Sequence, residues 1–169
     1  MTKYKLLFLA LLFSLIANAQ DSLRNIKGLP KNNIGVNIVG EASLIALNYE
    51  RNFLLKSPHF INLSVGIGIN EEFTLFTSGK EYLTFPHHLT YNIGRKKHFF
   101  EIGIGGTGLI DRKANFASYY IYPIAGYRFQ SIRQGKLFFR TYLAWLFQTN
   151  EKKTGVFLIP VGVAIGVTF

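Results

Sequence analysis

The stretch VFLIPVGVAIGVTF at residues 156–169 decides the fold that the sequence predicts. Its odd-numbered residues, from Phe157 to Phe169, are all large and apolar, whereas the residues between them, such as Gly162 and Ala164, are mostly small. Alternation with a period of two is typical of a β-strand with two different faces. A soluble sheet would carry charges on its outer face, and here the second face is rich in glycine instead. A narrow barrel with lipid outside and a filled interior accounts for both faces.

The same alternation recurs along the chain from Asn33 onward. In INLSVGIGIN at 61–70, for example, five large aliphatic residues share one face. We predict eight strands, at residues 33–39, 42–53, 59–70, 80–93, 98–110, 118–129, 136–147 and 156–169. Because the intervening segments are short, the predicted fold class is all-β, an eight-stranded antiparallel up-and-down transmembrane β-barrel over residues 33–169.

Three prolines weaken this prediction. Pro86, Pro123 and Pro160 are spaced 37 residues apart and fall in the fourth, sixth and eighth predicted strands. Proline cannot donate to a β-ladder, and a closed barrel has no free edge at which to place it. We therefore expect β-bulges near these prolines.

The N-terminus has the features of a secretory signal peptide. Lys3 and Lys5 precede an apolar run at 6–17, and Ala17-Asn18-Ala19 supplies small residues for cleavage. We expect a signal peptide over 1–19, cleaved near Ala19, and a flexible periplasmic lead-in over 20–32. The absence of cysteine from the sequence excludes a lipoprotein anchor and disulfide bonds.

The net charge of +10 raises the question of a nucleic-acid partner. The basic residues do not form one stripe but collect in short connecting segments, such as Arg95-Lys96-Lys97, Arg112-Lys113 and Lys152-Lys153. Cations that flank apolar strands suit the phosphates of lipid headgroups. We therefore expect outer-membrane lipid and lipopolysaccharide as partners, and no nucleic acid.

Strand parity predicts a cluster of charges inside the barrel, made of Glu50, Glu101, Arg128 and Arg140. Two acids and two bases form a neutral set, which lowers the cost of burying each charge. The cluster fits a structural plug, because the lumen of an eight-stranded barrel is filled by side chains. A charged gate in a narrow pore, or a site for a small ligand, is the functional alternative.

His87 and His88 are the candidate residues for an enzyme that acts on lipid, since a hydroxyl nucleophile needs an adjacent base. Parity places His87 on the lipid face, but no serine lies two residues away on that face. The sequence therefore predicts no catalytic residue. It also predicts no metal site, because the histidines lack ligand spacing. The glycines at 103–108 fit G-x-G-x-x-G but do not open a helix, so no cofactor is expected.

Several short motifs carry a resemblance to a known family. They are Ala17-Asn18-Ala19-Gln20, Asn48-Tyr49-Glu50-Arg51-Asn52-Phe53, Gly126-Tyr127-Arg128-Phe129-Gln130, Phe138-Phe139-Arg140 and Gly166-Val167-Thr168-Phe169. Together they resemble the small outer-membrane β-barrel proteins of the Bacteroidota type. The resemblance implies the outer membrane of a Gram-negative bacterium as the location. It also implies that Phe169 belongs to a C-terminal signal read by the barrel-assembly machinery.

The leading hypothesis for function is a non-enzymatic protein of the outer membrane with a structural or interaction role. Three alternatives stay open at this point: an enzyme that modifies lipid A, a porin-like narrow pore gated by the lumen charges, and a soluble lipocalin-like carrier. The sequence does not indicate an oligomeric state.

Overall fold

The computed structural model describes residues 29–55, 59–72, 79–113, 115–131, 136–149, 156 and 158–169. The predicted signal peptide over 1–19 and residues 20–28 of the predicted lead-in lie outside the described residues. The described residues form strands and no helices. Among them, no helix is long and apolar enough to cross a membrane.

Nine strands follow one another along the chain. They are β1 (Asn32–Ile38), β2 (Ile45–Leu54), β3 (His59–Glu71), β4 (Glu81–Arg95), β5 (His98–Asp111), β6 (Phe116–Gln130), β7 (Leu137–Ala144), β8 (Phe147–Gln148) and β9 (Val161–Thr168). Each strand from β1 to β6 pairs antiparallel with the next. β6 then pairs with both β7 and β8, β7 pairs with β9, and β9 returns to β1. The sheet is therefore a closed barrel with eight strand positions around its wall, which we call staves. β7 and β8 together occupy one of these staves.

The seventh stave is interrupted because Pro123 faces it. The register of β6 with β7 and with β8 is the same on both sides of the interruption at Trp145 and Leu146. The amide of Trp145 donates to the carbonyl of Pro123 at 3.3 Å. Since proline has no N–H, the reciprocal bond to the carbonyl of Trp145 cannot form. One continuous strand over 136–147 was therefore a wrong prediction.

The expected bulges beside the prolines are not seen. The register between β3 and β4 is the same on both sides of Pro86. Gly66 and Ile67, which stand opposite Pro86 and Phe85, are not paired in this ladder. Pro160 comes just before β9, which begins at Val161 and not at the predicted residue 156. In the described ladders a register shift occurs only between β5 and β6, at Leu109 and Ile110.

The barrel has two different ends. The end that holds Asn32 and Phe169, together with the turns between β2 and β3, β4 and β5, and β6 and β7, is called the terminus end. The opposite end, called the loop end, carries the connections β1–β2, β3–β4, β5–β6 and β8–β9. Phe169 and Asn32 exchange two backbone hydrogen bonds of 2.9 and 3.0 Å, so they close the barrel at the terminus end.

Side chains alternate between the two surfaces of the barrel wall. The outer surface is apolar on every stave. Residues such as Ile34, Leu47, Val65, Ile104 and Ile165 are between 40 and 54% exposed. The inner surface is mainly polar and contains buried asparagines, glutamates, arginines and threonines. This distribution is the reverse of a soluble protein, in which polar groups face outward.

Candidate functional site

The four charged residues that strand parity directs inward all lie in the interior. Glu50 is on β2, Glu101 on β5, Arg128 on β6 and Arg140 on β7, and each is at most 1% exposed. They come from four different staves, so their side chains converge on the barrel axis. Alternation along each strand is sufficient to place them there.

Glu101 lies between the two arginines and binds both of them. Its Oε1 accepts from Nη2 of Arg140 at 2.6 Å, and its Oε2 accepts from Nε of Arg128 at 3.2 Å. Nη1 of Arg128 continues the chain by donating to Oε2 of Glu50 at 2.8 Å. Because each carboxylate meets a guanidinium, the attraction within the cluster offsets a large part of the desolvation cost.

Amide side chains complete the coordination of Glu50. Asn33 and Asn62 donate to its Oε2 at 2.9 and 3.2 Å. Gln130 accepts from Arg128 at 3.1 Å and exchanges hydrogen bonds with Asn33. The charged groups are therefore held by a wider polar network, as buried ions require.

The connection between β1 and β2 folds into the barrel and adds a fifth charge. Glu41 lies in this connection and is 0% exposed. Strand parity does not predict Glu41 as a member of the charge cluster, because parity carries no information about a turn. The one available signal is that Glu41 stands alone among the small residues Gly40, Ala42 and Ser43.

The backbone of this connection is left-handed over four successive residues. Val39, Gly40, Glu41 and Ala42 have φ angles of 55°, 80°, 53° and 54°. A bulky residue such as valine is strained in this region, and strain of this kind persists only where surrounding contacts hold it. We call residues 39–44 the inserted loop.

Contacts with the far wall of the barrel hold the inserted loop in place. Oγ1 of Thr107, on β5, donates to the carbonyl of Glu41 at 2.6 Å. The hydroxyls of Ser43 and Thr84 lie 2.7 Å apart, and Nδ2 of Asn70 donates to the carbonyl of Ala42 at 2.9 Å. The loop therefore crosses the lumen and does not project from the loop end.

Glu41 connects His88 to the ionic network. Its Oε1 lies 3.0 Å from Nδ1 of His88 and 3.3 Å from Nη1 of Arg140. The interior thus holds three carboxylates against two arginines, rather than the neutral set of four that the sequence predicted. The imidazole of His88 lies against the third carboxylate, Glu41. We call Glu41, Glu50, His88, Glu101, Arg128 and Arg140 the lumen cluster.

Aromatic rings cover the lumen cluster on both sides. Toward the loop end, Tyr122 and Tyr142 belong to a buried apolar group, and the ring of Tyr142 lies 4.2 Å beneath the guanidinium of Arg140. Toward the terminus end, Phe60 and Phe99 meet edge to face at 5.0 Å. Gly162 leaves room for the Tyr142 ring, since a Cβ there would overlap it. The lumen is consequently filled along its length.

His87 and His88 lie on opposite sides of the wall. His87 is on the outer surface, where its Nε2 is 2.8 Å from the hydroxyl of Tyr119. It is therefore paired with a phenol and not with a serine. The wall separates the two histidines, so they do not form one site.

His88 has a more suggestive environment, because Glu41 contacts one ring nitrogen and Ser64 is its cross-strand neighbour. An acid, a histidine and a serine are the components of a hydrolase triad. However, neither Oγ of Ser64 nor Nε2 of His88 has a hydrogen-bond partner among the described residues, so serine and histidine do not bond to each other. Both residues are also buried, which denies them a substrate. Within the same residues, no group of His, Asp or Glu side chains is arranged to hold a metal ion.

Comparison with known proteins gives no relative for this chain: no protein-family model, no curated protein and no solved structure matches it. The fold is that of an eight-stranded antiparallel closed barrel, which is compatible with a small barrel protein. The resemblance to the Bacteroidota type and the role of Phe169 in assembly stay predictions.

Proposed function

We propose that the protein spans the outer membrane of a Gram-negative bacterium as a closed β-barrel with a structural or interaction role. The observation that carries this proposal is the apolar outer surface, which extends over all eight staves. Exposed residues such as Ile38, Leu63, Leu89, Ile102 and Leu143 form a continuous belt. Soluble monomers rarely expose apolar patches of more than a few hundred Å².

The closed ladder supports a membrane location as well. In hydrocarbon every backbone N–H and C=O needs an internal partner, and a barrel supplies one because it has no edge strand. Charged residues of the described connections, such as Lys96, Lys97, Arg112 and Lys113, lie at the two ends of the barrel, outside the apolar belt. The soluble lipocalin-like alternative lacks an explanation for this belt.

The filled lumen supports a structural role over transport. Two aromatic layers enclose the lumen cluster, and Ala42 of the inserted loop packs in the layer at the loop end. The charges of the lumen cluster pair with one another, although Oε2 of Glu41, Nη2 of Arg128 and Nε of Arg140 have no hydrogen-bond partner among the described residues. We therefore propose that the wild-type barrel does not conduct ions.

Fractionation and gel migration test the membrane proposal. We expect the protein in the outer-membrane fraction, with a folded form that migrates differently from the boiled form. Recovery from the soluble periplasm, with a single gel position, would contradict the proposal. In planar bilayers we expect no discrete conductance steps from the wild-type protein.

A narrow pore is the second candidate, and the strained inserted loop is the observation that favours it. A loop in left-handed backbone, held in the lumen by contacts with β3, β4 and β5, could leave the lumen if the contacts with β4 and β5 were lost. Thr107→Val removes the hydroxyl that binds the carbonyl of Glu41. Conductance steps in this variant, absent from a Thr90→Val control that removes a hydroxyl accepting from Asn92 on the same strand, would support the pore.

The enzyme alternative has a direct test in the mass spectrum of lipid A. We expect identical spectra from cells with and without the protein. A difference of one acyl chain that disappears in His87→Ala or His88→Ala would replace the structural role with an enzymatic one. Contact with lipopolysaccharide through Arg112 and Lys113 also stays a proposal, and Arg112 is already paired with Glu81.

A further inference from the structure

The formal charges of the barrel are unevenly distributed between its ends. Six described cations are exposed at the terminus end, and none of them forms an ion pair with a described residue. They are Lys31, Arg51, Arg95, Lys96, Lys97 and Lys136. We call these six residues the basic rim.

Among the described residues, no acid lies at the terminus end to balance the basic rim. The sequence contains nine acids, of which Asp21 and Glu151 lie outside the described residues. Three of the others belong to the lumen cluster, and the remaining four are at the loop end: Glu71, Glu72, Glu81 and Asp111. At the loop end these four face three cations, Lys80, Arg112 and Lys113. The surplus positive charge of the described barrel is therefore concentrated at one end.

We propose that the basic rim binds the headgroups of anionic glycerophospholipids. This inference rests on the proposed function, because it requires the barrel to lie in a bilayer. In outer-membrane barrels short turns face the periplasm and the opposite loops are longer. The connections at the terminus end are on average the shorter ones, so this end should face the periplasmic leaflet of glycerophospholipid. Phosphate oxygens of these headgroups are the anions that a ring of lysines and arginines can reach there.

Aromatic side chains next to the basic rim indicate a membrane surface rather than an acidic protein. Tyr49, His59, Tyr91, His98 and Tyr127 lie on the outer surface close to this end. The hydroxyl of Tyr127 is 2.5 Å from Nδ1 of His98, and the rings of His59 and Tyr91 stack at 5.7 Å. Amphipathic rings of this kind occupy the headgroup boundary of a bilayer.

Arg51 shows how the rim and the aromatic band meet. It follows Tyr49 and precedes Phe53 on the outer face of β2, and its guanidinium lies 5.8 Å from the Phe53 ring. Its Nη1 also donates to Oδ1 of Asn32, although only at 3.5 Å. Arginine suits such a position because its planar fork binds phosphate in a bidentate manner.

The experiment compares spin-labelled phosphatidylglycerol with spin-labelled phosphatidylcholine around the barrel in vesicles. The motionally restricted fraction of each lipid gives their relative association constant. We expect a preference of about fivefold for phosphatidylglycerol at low salt, which is the contribution of one cation near an anionic surface. In Arg95→Gln/Lys96→Asn/Lys97→Gln the preference should fall to about half of the wild-type value or less, because the basic rim loses three of its six cations.

The matched control is Lys80→Gln/Arg112→Gln/Lys113→Gln, which removes three cations from the loop end. This variant should keep the preference of the wild-type protein. Equal association of the two lipids with wild-type protein would overturn the proposal, and so would loss of the preference in the control alone. Equal association combined with binding of polyglutamate would instead indicate an acidic polypeptide partner.

Failure of the proposed function would look different from failure of this inference. A protein that does not span the bilayer would restrict neither lipid and would show a single gel position. A protein that spans the bilayer but lacks the proposed site would restrict both lipids equally.

Discussion

Buried ion pairs dominate the molecule at the scale of single residues. Glu101 touches both arginines, and each arginine reaches a further carboxylate, Glu50 from Arg128 and Glu41 from Arg140. Such a chain of alternating charges is stable only as a set, because removal of one member leaves its neighbours buried and unpaired.

Replacement of Glu101 by Gln should therefore destabilise the folded barrel by about 3–5 kcal/mol. The two guanidinium groups would lose their shared anion and repel each other. Urea unfolding in lipid vesicles measures this loss. The control is Glu81→Gln, whose pair with Arg112 is exposed and should contribute less than about 1 kcal/mol. Equal losses in the two variants would contradict the prediction.

At this scale strand alternation predicts part of the candidate site. Glu50, Glu101, Arg128 and Arg140 lie in stretches of strand where the register is regular, away from the shift at Leu109 and Ile110, so their inward direction follows from their residue numbers. Glu41 lies in a connection, where direction depends on contacts with distant strands such as β5. No local pattern contains that information.

The inserted loop is the most unusual element of the fold. Its four left-handed residues include Val39, whose branched side chain disfavours that backbone, and its polar groups bond to β3, β4 and β5. The tertiary contacts therefore offset the backbone strain in the loop. A substitution that relieves the strain and keeps these contacts measures the cost of the strain by itself.

Val39→Gly and Val36→Gly remove the same side chain from different backbones. Val36 lies in ordinary strand β1, whereas Val39 has a φ of 55°. We expect Val39→Gly to be more stable than Val36→Gly by about 1–2 kcal/mol, which is the cost of one left-handed residue. The free energy of unfolding in urea gives this difference. Equal stabilities would show that the loop backbone is unstrained.

The interruption between β7 and β8 gives a second prediction at the scale of elements. Pro123→Val restores an N–H that can donate to the carbonyl of Trp145. One more ladder hydrogen bond should stabilise the barrel by about 0.5–1.5 kcal/mol and slow amide hydrogen exchange at residues 145–146.

Ala125→Val is the control for this variant, because it adds the same side chain two residues away on the outer face of β6 without adding a donor. A gain of equal size in both variants would assign the effect to the valine side chain and not to the hydrogen bond.

Most strands could be predicted from their alternation, but the two elements near Pro123 and Pro160 could not. A proline inside an alternating run is compatible with a bulge, a gap in the ladder or the end of a strand. The structure contains a gap at Pro86, an interrupted stave opposite Pro123 and the start of a strand after Pro160. Which of these three outcomes occurs depends on which neighbouring strand would have accepted the hydrogen bond that the proline cannot donate.

For the whole molecule, the pairing of β1 with β9 closes the barrel. Closure could be predicted from the sequence because the number of strands could be counted. Eight alternating strands with short connections fit a small closed barrel better than an open sheet. The charge asymmetry between the two ends was present in the sequence as clusters of basic residues. It became visible only when the register showed which turns share an end.

The asymmetry predicts how the barrel enters a bilayer. On the lipid face of a barrel each lysine or arginine costs about 2–4 kcal/mol at the bilayer midplane, and aspartate and glutamate cost less. The described residues place six of these cations at the basic rim and three at the loop end, so the loop end is cheaper to transfer. We expect the loop end to cross and the basic rim to stay on the side of entry. Protease added outside preformed vesicles should then remove an affinity tag attached after Phe169 from nearly all molecules. Cleavage of only half of them would indicate entry in both directions.

Sidedness in this protein would therefore be a property of the folded molecule itself. A barrel with its surplus charge at one rim inserts with the other end first, and the charged rim stops at the membrane interface and so fixes the depth of insertion. Purified copies should all acquire the same orientation in a synthetic bilayer, where no assembly machinery and no electrical potential are present to align them.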